Sequence, residues 1–197
     1  RELFDIINDD LHRVRKLTVQ QKETIAFELF VAIKEFHDGN MTHHDIKPEN
    51  IMVSLNDQVQ SSHAIVLKLV DYGYVCDFRT GSTVFCSEYS GTPAYLDFRI
   101  QVNDLESMKR ADWWAYGQVL LLLFTGTSTQ HFNEKTQTVS YKRIESQSLK
   151  SIPPHMMSML LKLTDPTLAA NARPTEEDIY KGVCPLRSQA KLMSEYA

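Results

Sequence analysis

Hydrophobic and polar positions alternate along this chain with periods that change several times, and each change marks a candidate element. Over residues 1 to 16, Leu3, Phe4, Ile6 and Ile7 set against Asp5, Asp9 and Asp10 make a short amphipathic segment. Thr18 then opens a helix, because Thr18-Val19-Gln20-Gln21 has capping-box spacing, in which the hydroxyl and the glutamine amide satisfy each other's free backbone donors. Ile25, Leu29, Ile33 and Phe36 recur at helical spacing, and Gly39 with Asn40 supplies a stop. Two β-branched runs, Ile51 to Leu55 and Ile65 to Asp71, predict a hairpin with Asn56 and Asp57 opening its turn. Tyr74 to Ser90 has no steady period and is rich in Gly, Ser and Thr, so it reads as a long loop, a feature that inside compact domains is usually functional.

From Trp113 to Phe124 the pattern is apolar on nearly every face, which predicts a helix in the middle of a domain. The rest alternates helical patterns with turns. Pro153-Pro154 starts one helix, and Arg173-Pro174 precedes the acidic first turn Glu176, Glu177, Asp178 of another. No internal repeat or low-complexity tract interrupts the series.

Composition narrows the class. A length of 197 residues suits one domain, at most one and a half, with 43% hydrophobic and 23% charged residues in the ordinary globular range. Lysine plus arginine is 21 and aspartate plus glutamate 25, a net charge of −4 spread along the chain. Nucleic-acid binding and a polybasic membrane anchor both need clustered positive charge, so neither is expected. The longest apolar run, Val119 to Phe124, is far short of the roughly 20 residues of a bilayer span. No targeting signal is visible, and a soluble, intracellular protein of cytoplasm or nucleus is expected. Cys76, Cys86 and Cys184 are odd in number and lack zinc spacing, which reads as free thiols in a reducing compartment. The chain opens on Arg1, which reads as a cut from something larger.

Residues 43 to 50 carry the chemistry: His43-His44-Asp45-Ile46-Lys47-Pro48-Glu49-Asn50, after a helix and just before the hairpin. This resembles the catalytic loop of eukaryotic-type serine/threonine protein kinases, His-Arg-Asp with Asn five positions after the Asp. Further marks follow in order: Asp71-Tyr72-Gly73 in place of Asp-Phe-Gly, Gly91-Thr92-Pro93 with Tyr95, Asp112 with Trp114 and Gly117 on the buried helix, and Arg173 near the end. The resemblance implies a kinase-like C-lobe over residues 1–197, mainly α-helical with a small β-hairpin. It implies ATP and Mg2+, with Asp45 as base, Lys47 on the γ-phosphate, and Thr92 beside them marking the serine/threonine branch. Asn50 and Asp71 offer the hard oxygen ligands that magnesium prefers. His43, Asp112 and Arg173 take structural roles.

Other positions carry over less directly. Glu2 matches a place where family members contact ribose or a basic substrate residue, and Glu49 lies near basic substrate side chains. Exposed glutamates are more often only solvated surface, and that is the commoner reading of both. Met52 matches the apolar floor under adenine or is a core side chain of the hairpin. Together Glu2, Glu49, Asn50, Met52 and Asp71 form the implied ATP-binding set, and the implied partner is a basic protein substrate. Thr80, Ser82, Thr83 and Ser87 are activation-loop phosphosite candidates. His44 stands where the family's arginine grips such a phosphate, which argues against dependence on it.

Two patterns are decoys. Val31-Ala32-Ile33-Lys34 spells the motif of an ATP-anchoring lysine but lies inside the capped helix, so Lys34 is expected on the surface. His43, His44 and Asp45 are adjacent, and adjacent side chains diverge instead of converging on a metal.

The departures matter as much. Only 42 residues precede His43, and no Gly-x-Gly-x-x-Gly occurs, so the family's N-lobe is absent and is expected upstream in the same polypeptide. Asp97-Phe98-Arg99 replaces Ala-Pro-Glu, which would set Arg99 against Arg173, and buried like charges are costly. Either Arg99 turns outward or Arg173 finds another acid, with Asp97 the local candidate. Asp112-Trp113-Trp114 resembles the cyclic-nucleotide-regulated kinases and certain baculovirus kinases. Two functions fit: the C-lobe of an active kinase, or a truncated homologue acting as scaffold or kinase inhibitor. Retention of base, lysine and both metal ligands favours the first.

Overall fold

The computed structural model of the chain describes residues 1–55, 65–79, 91–100 and 104–184. Its helices are α1 (Leu3–Leu11), α2 (Val19–Asp38), α3 (Leu105–Thr125), α4 (Ser146–Leu149), α5 (Pro154–Leu163) and α6 (Glu176–Val183). Its strands are β1 (Met41–Thr42), β2 (Ile51–Leu55), β3 (Ile65–Leu69), β4 (Cys76–Asp77), β5 (Gln130–Asn133) and β6 (Thr138–Tyr141). The strands pair antiparallel as β1 with β4, β2 with β3, and β5 with β6.

The centre is α3, whose Trp114, Tyr116, Val119, Leu120 and Leu121 are entirely buried. The apolar run predicted a helix from Asp112 to Phe124, but α3 starts seven residues earlier, at Leu105. Asp104 accepts from the Ser107 N–H, and the Ser107 hydroxyl closes the reciprocal bond. The first two turns are polar and amphipathic, so all-round hydrophobicity could not reveal them. α2 crosses α3 with the Phe30 ring stacked 5.2 Å from Trp113, and the Tyr116 hydroxyl donates to the Ala26 carbonyl at 2.9 Å. α5 packs on α3 at Gly117, where a Cβ would lie 2.7 Å from the Thr164 methyl. No described helix is long and apolar enough to cross a membrane.

The Thr18–Gln21 capping box forms as expected. At the other end of α2 the left-handed residue is Asn40 (φ 51°), while Gly39 keeps an ordinary φ of −77°. The β2–β3 hairpin forms in register, Ile51 opposite Leu69 and Leu55 opposite Ile65. Its second strand ends at Leu69 instead of Asp71, because Asp71 turns to φ 63° and leaves the ladder. The turn at Asn56 and Asp57 lies outside the described residues, as do Cys86 and the candidates Thr80, Ser82, Thr83 and Ser87.

Three expectations are corrected. The long loop after Tyr74 contains β4, held to β1 and extended by the Phe78 N–H on the Asn40 carbonyl at 2.9 Å. A two-residue strand has no periodicity to detect. The stretch read as helices and turns contains the β5–β6 hairpin, whose anchor is a buried polar side chain. Gln130 accepts from Trp114 Nε1 at 3.1 Å and donates to the Pro93 and Leu96 carbonyls, each at 2.8 Å. Finally, Cys76 is disulfide-bonded, not a free thiol, while Cys184 is a buried thiol.

Gly117→Leu should force α3 and α5 apart at their closest approach. We expect a loss of about 3 kcal/mol, in the upper range of overpacking costs, read as a lowered midpoint in thermal unfolding.

Candidate active site

The site grows from the carboxylate of Asp112, 1% exposed in the middle of the core. Its Oδ1 accepts the His44 N–H at 2.9 Å, and its Oδ2 accepts the His43 N–H at 2.8 Å. His37 Nε2 lies 3.0 Å from the same Oδ2, brought there from the end of α2. Burial would push the Asp112 carboxyl up, but the His37 bond and charge, with the His44 charge and the His43 amide, hold it below the usual carboxylate range. His44 is thereby pinned at φ 65°, a strained conformation for a side chain with a Cβ. Gly91, at φ 113°, packs onto the His44 carbonyl so closely that a Cβ would lie 2.2 Å from that oxygen.

This anchored bend projects Asp45. Its Oδ1 accepts from the Thr92 N–H at 2.9 Å and the Thr92 hydroxyl at 2.6 Å. Asn50 Nδ2 donates to Oδ2 at 2.8 Å and to the Asp45 carbonyl at 2.9 Å, and Lys47 Nζ sits 2.9 Å from both Oδ2 and the Thr92 hydroxyl. Burial works against ionisation here too, but Thr92, Lys47 and Asn50 outweigh it, so the Asp45 carboxyl is held low and stays charged. The structure thus brings together Asp45, Lys47, Asn50 and Thr92. With Nδ2 committed to Asp45, the atom Asn50 can offer a ligand is its side-chain Oδ1.

Asp71 follows Val70, whose N–H binds the Asn50 carbonyl at 2.9 Å. Its carboxylate is exposed and, among the described residues, accepts only a long 3.4 Å bond from the Gly73 N–H. The Asn50 Oδ1 and the exposed Asp71 carboxylate are hard oxygen donors, the chemistry that suits a magnesium ion which keeps waters and takes further ligands from phosphate. His43, fully buried, bonds the Val70 carbonyl at 3.2 Å and packs against Phe36 and Tyr72.

The remaining candidates fall around this centre. Glu2 pairs with Met52 in an antiparallel bridge, flanked by the Val53 N–H on the Arg1 carbonyl at 2.8 Å, so both stand on the exposed edge of the hairpin. Met52 is 36% exposed and is not a core side chain. Glu49 has one buried carboxylate oxygen without a hydrogen-bond partner among the described residues, and burial, with the Glu49 charge, pushes the Tyr95 phenol up. His44 is 6% exposed with Nε2 unpartnered, and burial pushes its imidazole down. Lys34 is on the surface, paired with Asp38 and Glu176.

Arg173 finds its acid. Asp97, fully buried at its side chain, binds Arg173 on one oxygen and Arg99 Nε at 2.7 Å on the other. Arg99 lies 4.3 Å and Arg173 4.7 Å from the Trp114 ring centroid. One carboxylate and one indole therefore hold two arginines together. His37 and Gln130 went unnoticed in the sequence. The only trace of His37 is a polar residue four positions after Ile33, on the buried face of α2.

Comparison with known proteins agrees with this geometry. The model of the protein kinase domain matches residues 1–182. The phosphorylase b kinase gamma catalytic chain, liver/testis isoform, of Bos taurus is 32% identical over 133 residues, covering 64% of this chain and 29% of that protein. Serine/threonine-protein kinase 36 of Mus musculus is 31% identical over 139 residues, covering 71% of this chain and 10% of that protein. The chain thus spans less than a third of the length of these relatives. A crystal structure of the Rad53 kinase domain and SCD2 superposes with a TM-score of 0.66 at 20% identity, covering 98% of this chain and 70% of that one, and shares the fold.

Two substitutions test the anchors. Asp112→Asn removes the charge and presents an amide to buried N–H donors, which should cost about 3 kcal/mol at pH 7. The folded Asp112 carboxyl titrates below its ordinary 3.8, so its stabilisation is complete above about pH 4 and fades as the pH falls through the lower folded value. Urea unfolding should show the gap between wild type and variant narrowing below pH 4. Asp97→Ala leaves Arg173 buried without its acid, and the same measurement should register a loss of about 3–5 kcal/mol.

Proposed function

The chain belongs to the protein kinase domain family, and on that premise we propose that residues 1–197 form the C-terminal lobe of a serine/threonine protein kinase. It transfers the γ-phosphoryl group of ATP to a serine or threonine hydroxyl, with the N-lobe supplied upstream by the same polypeptide. The observation that carries this proposal is a single carboxylate, Asp45, kept ionised by Thr92, Lys47 and Asn50 at the mouth of the site.

Phosphoryl transfer asks for positioning and charge neutralisation more than for covalent work. Asp45 receives the hydrogen bond of the incoming hydroxyl and aligns its oxygen. Lys47, whose side chain is 22% exposed, moves from Asp45 to the γ-phosphate, which frees a lone pair on Asp45 Oδ2 for that hydroxyl. Thr92 holds the other oxygen of Asp45 throughout and fixes the direction in which the carboxylate points. The side-chain Oδ1 of Asn50 and the Asp71 carboxylate would hold magnesium, whose chemistry is to neutralise charge on the phosphates. Glu2 and Met52 line the nucleotide side. Glu49, partly exposed beside this centre, suits a protein substrate with a basic residue next to the phosphorylated one. The names of the relatives, serine/threonine kinases among them, support the choice of hydroxyl.

Transfer of labelled phosphate from Mg-ATP to a basic protein should be measured with the natural full-length product and its Asp45→Asn variant. We expect the variant to be slower by about 10²–10⁴-fold, the usual worth of a positioned base. If neither protein transfers phosphate and neither binds Mg-ATP, the proposal fails and the scaffold or inhibitor role replaces it.

A further inference from the structure

Away from the Asp45 centre, the end of β6 and the chain that follows it face α5 across an open groove of about 450 Å³. That volume is in the range of sites that hold a side chain and its flanking backbone. Its apolar wall includes Tyr141, Ile144, Leu149 and Leu161. Ile144 is buried in the wall, whereas Tyr141 is 36% and Leu161 38% exposed. Leu161 is the odd leucine of α5: Leu160 and Leu163 face the core, and Leu161 faces the groove. An exposed aromatic and an exposed leucine on facing walls leave apolar surface that nothing among the described residues covers.

The rim is predominantly basic. Lys142 and Arg143 line the groove, are exposed, and have no ion-pair partner among the described residues. The one lining acid, Asp165, is turned into its own bend: its Oδ1 accepts the Thr167 N–H and hydroxyl, each at 2.7 Å. These donors are neutral and Asp165 stays ionised, so the two cations Lys142 and Arg143 against this one anion leave the groove net positive.

The walls are held in place from behind. Gln118 binds Thr129 at the hairpin's foot, with both the N–H and the hydroxyl of Thr129 in contact with Gln118 Oε1. Arg99 reaches the Asp165 carbonyl at 3.3 Å and lies 5.6 Å from the Tyr141 ring. A groove braced in this way is pre-formed, which lowers the entropic cost of filling it.

We propose that this groove docks a segment of a partner protein in which an apolar side chain of leucine size is flanked by carboxylates. The leucine inserts between Tyr141 and Leu161, and the acids meet Lys142 and Arg143. This second site is separate from the substrate cleft and does not depend on phosphate transfer by the chain.

Fluorescence anisotropy with the full chain would measure binding of a labelled peptide carrying one leucine among glutamates. Two control peptides replace the leucine by serine or the glutamates by lysine. We expect only the first to bind, with affinity falling as salt rises. Lys142→Glu with Arg143→Glu, and separately Leu161→Ser, should each weaken it by about tenfold or more. All these positions are on the surface, so thermal melts should stay near wild type. Absence of binding by the leucine peptide, equal binding by the controls, or affinity unchanged in both variants would overturn the proposal. So would a concentration-dependent dimer in sedimentation that Leu161→Ser abolishes, since a second copy of the chain would then be the occupant.

Discussion

One buried carboxylate organises this molecule. Asp112 sits on the central helix with almost no exposure and satisfies two backbone N–H groups and an imidazole at once. Those donors come from α2 and from the loop that follows β1, so a single side chain fixes the helix, the preceding helix and the loop against one another. Leaving such a charge buried without its donors would be strongly unfavourable, and leaving the donors without it nearly as much. Mutual dependence of this kind explains how His44 is kept at a left-handed φ and how Gly91 comes to lie against its carbonyl. The bend that aims Asp45 at Thr92, Lys47 and Asn50 is a consequence.

A second buried acid does comparable work on the opposite side of the helix. Where relatives in this family carry a glutamate, this chain has Arg99, and a buried arginine facing Arg173 would be untenable alone. Asp97 binds both guanidinium groups and Trp114 lies under both. The ion pair is thus retained with its acid moved two positions along the chain. Gln130 ties the same region to the β5–β6 hairpin through the Pro93 and Leu96 carbonyls. The segment that carries Thr92 is consequently braced by the core on one side and by the hairpin on the other.

Much of this was legible beforehand. The capping box at Thr18, the β2–β3 hairpin, the proline start of α5 and the apolar centre of α3 follow from local spacing and burial pattern, because each depends on residues close together in the chain. The set Asp45, Lys47 and Asn50 was legible through the resemblance of its segment to a kinase catalytic loop, and its side chains meet within a few residues of backbone. Lys34 could be assigned to the surface because a helical period already occupied its segment. Asp97 could be named as the acid for Arg173 because charge balance demanded one nearby.

What the tertiary structure alone decided lies in contacts between segments far apart in sequence. His37 meets Asp112 across 75 positions, Thr92 meets Asp45 across 47, and β1 meets β4 over a stretch too short to show a period. The β5–β6 hairpin was hidden because polar bonds from Gln130 and Gln118 anchor it, where a pattern of alternating hydrophobicity would have announced it. Met52 reads equally as floor or core until the Glu2 bridge puts it at an exposed edge. The disulfide at Cys76 was invisible for a related reason: counting cysteines reports how many thiols exist, and only folding determines which are brought within bonding distance. Local spacing specifies elements and the chemistry carried within them, while long-range polar contacts, which obey no period, determine how those elements are held and where the chemistry points.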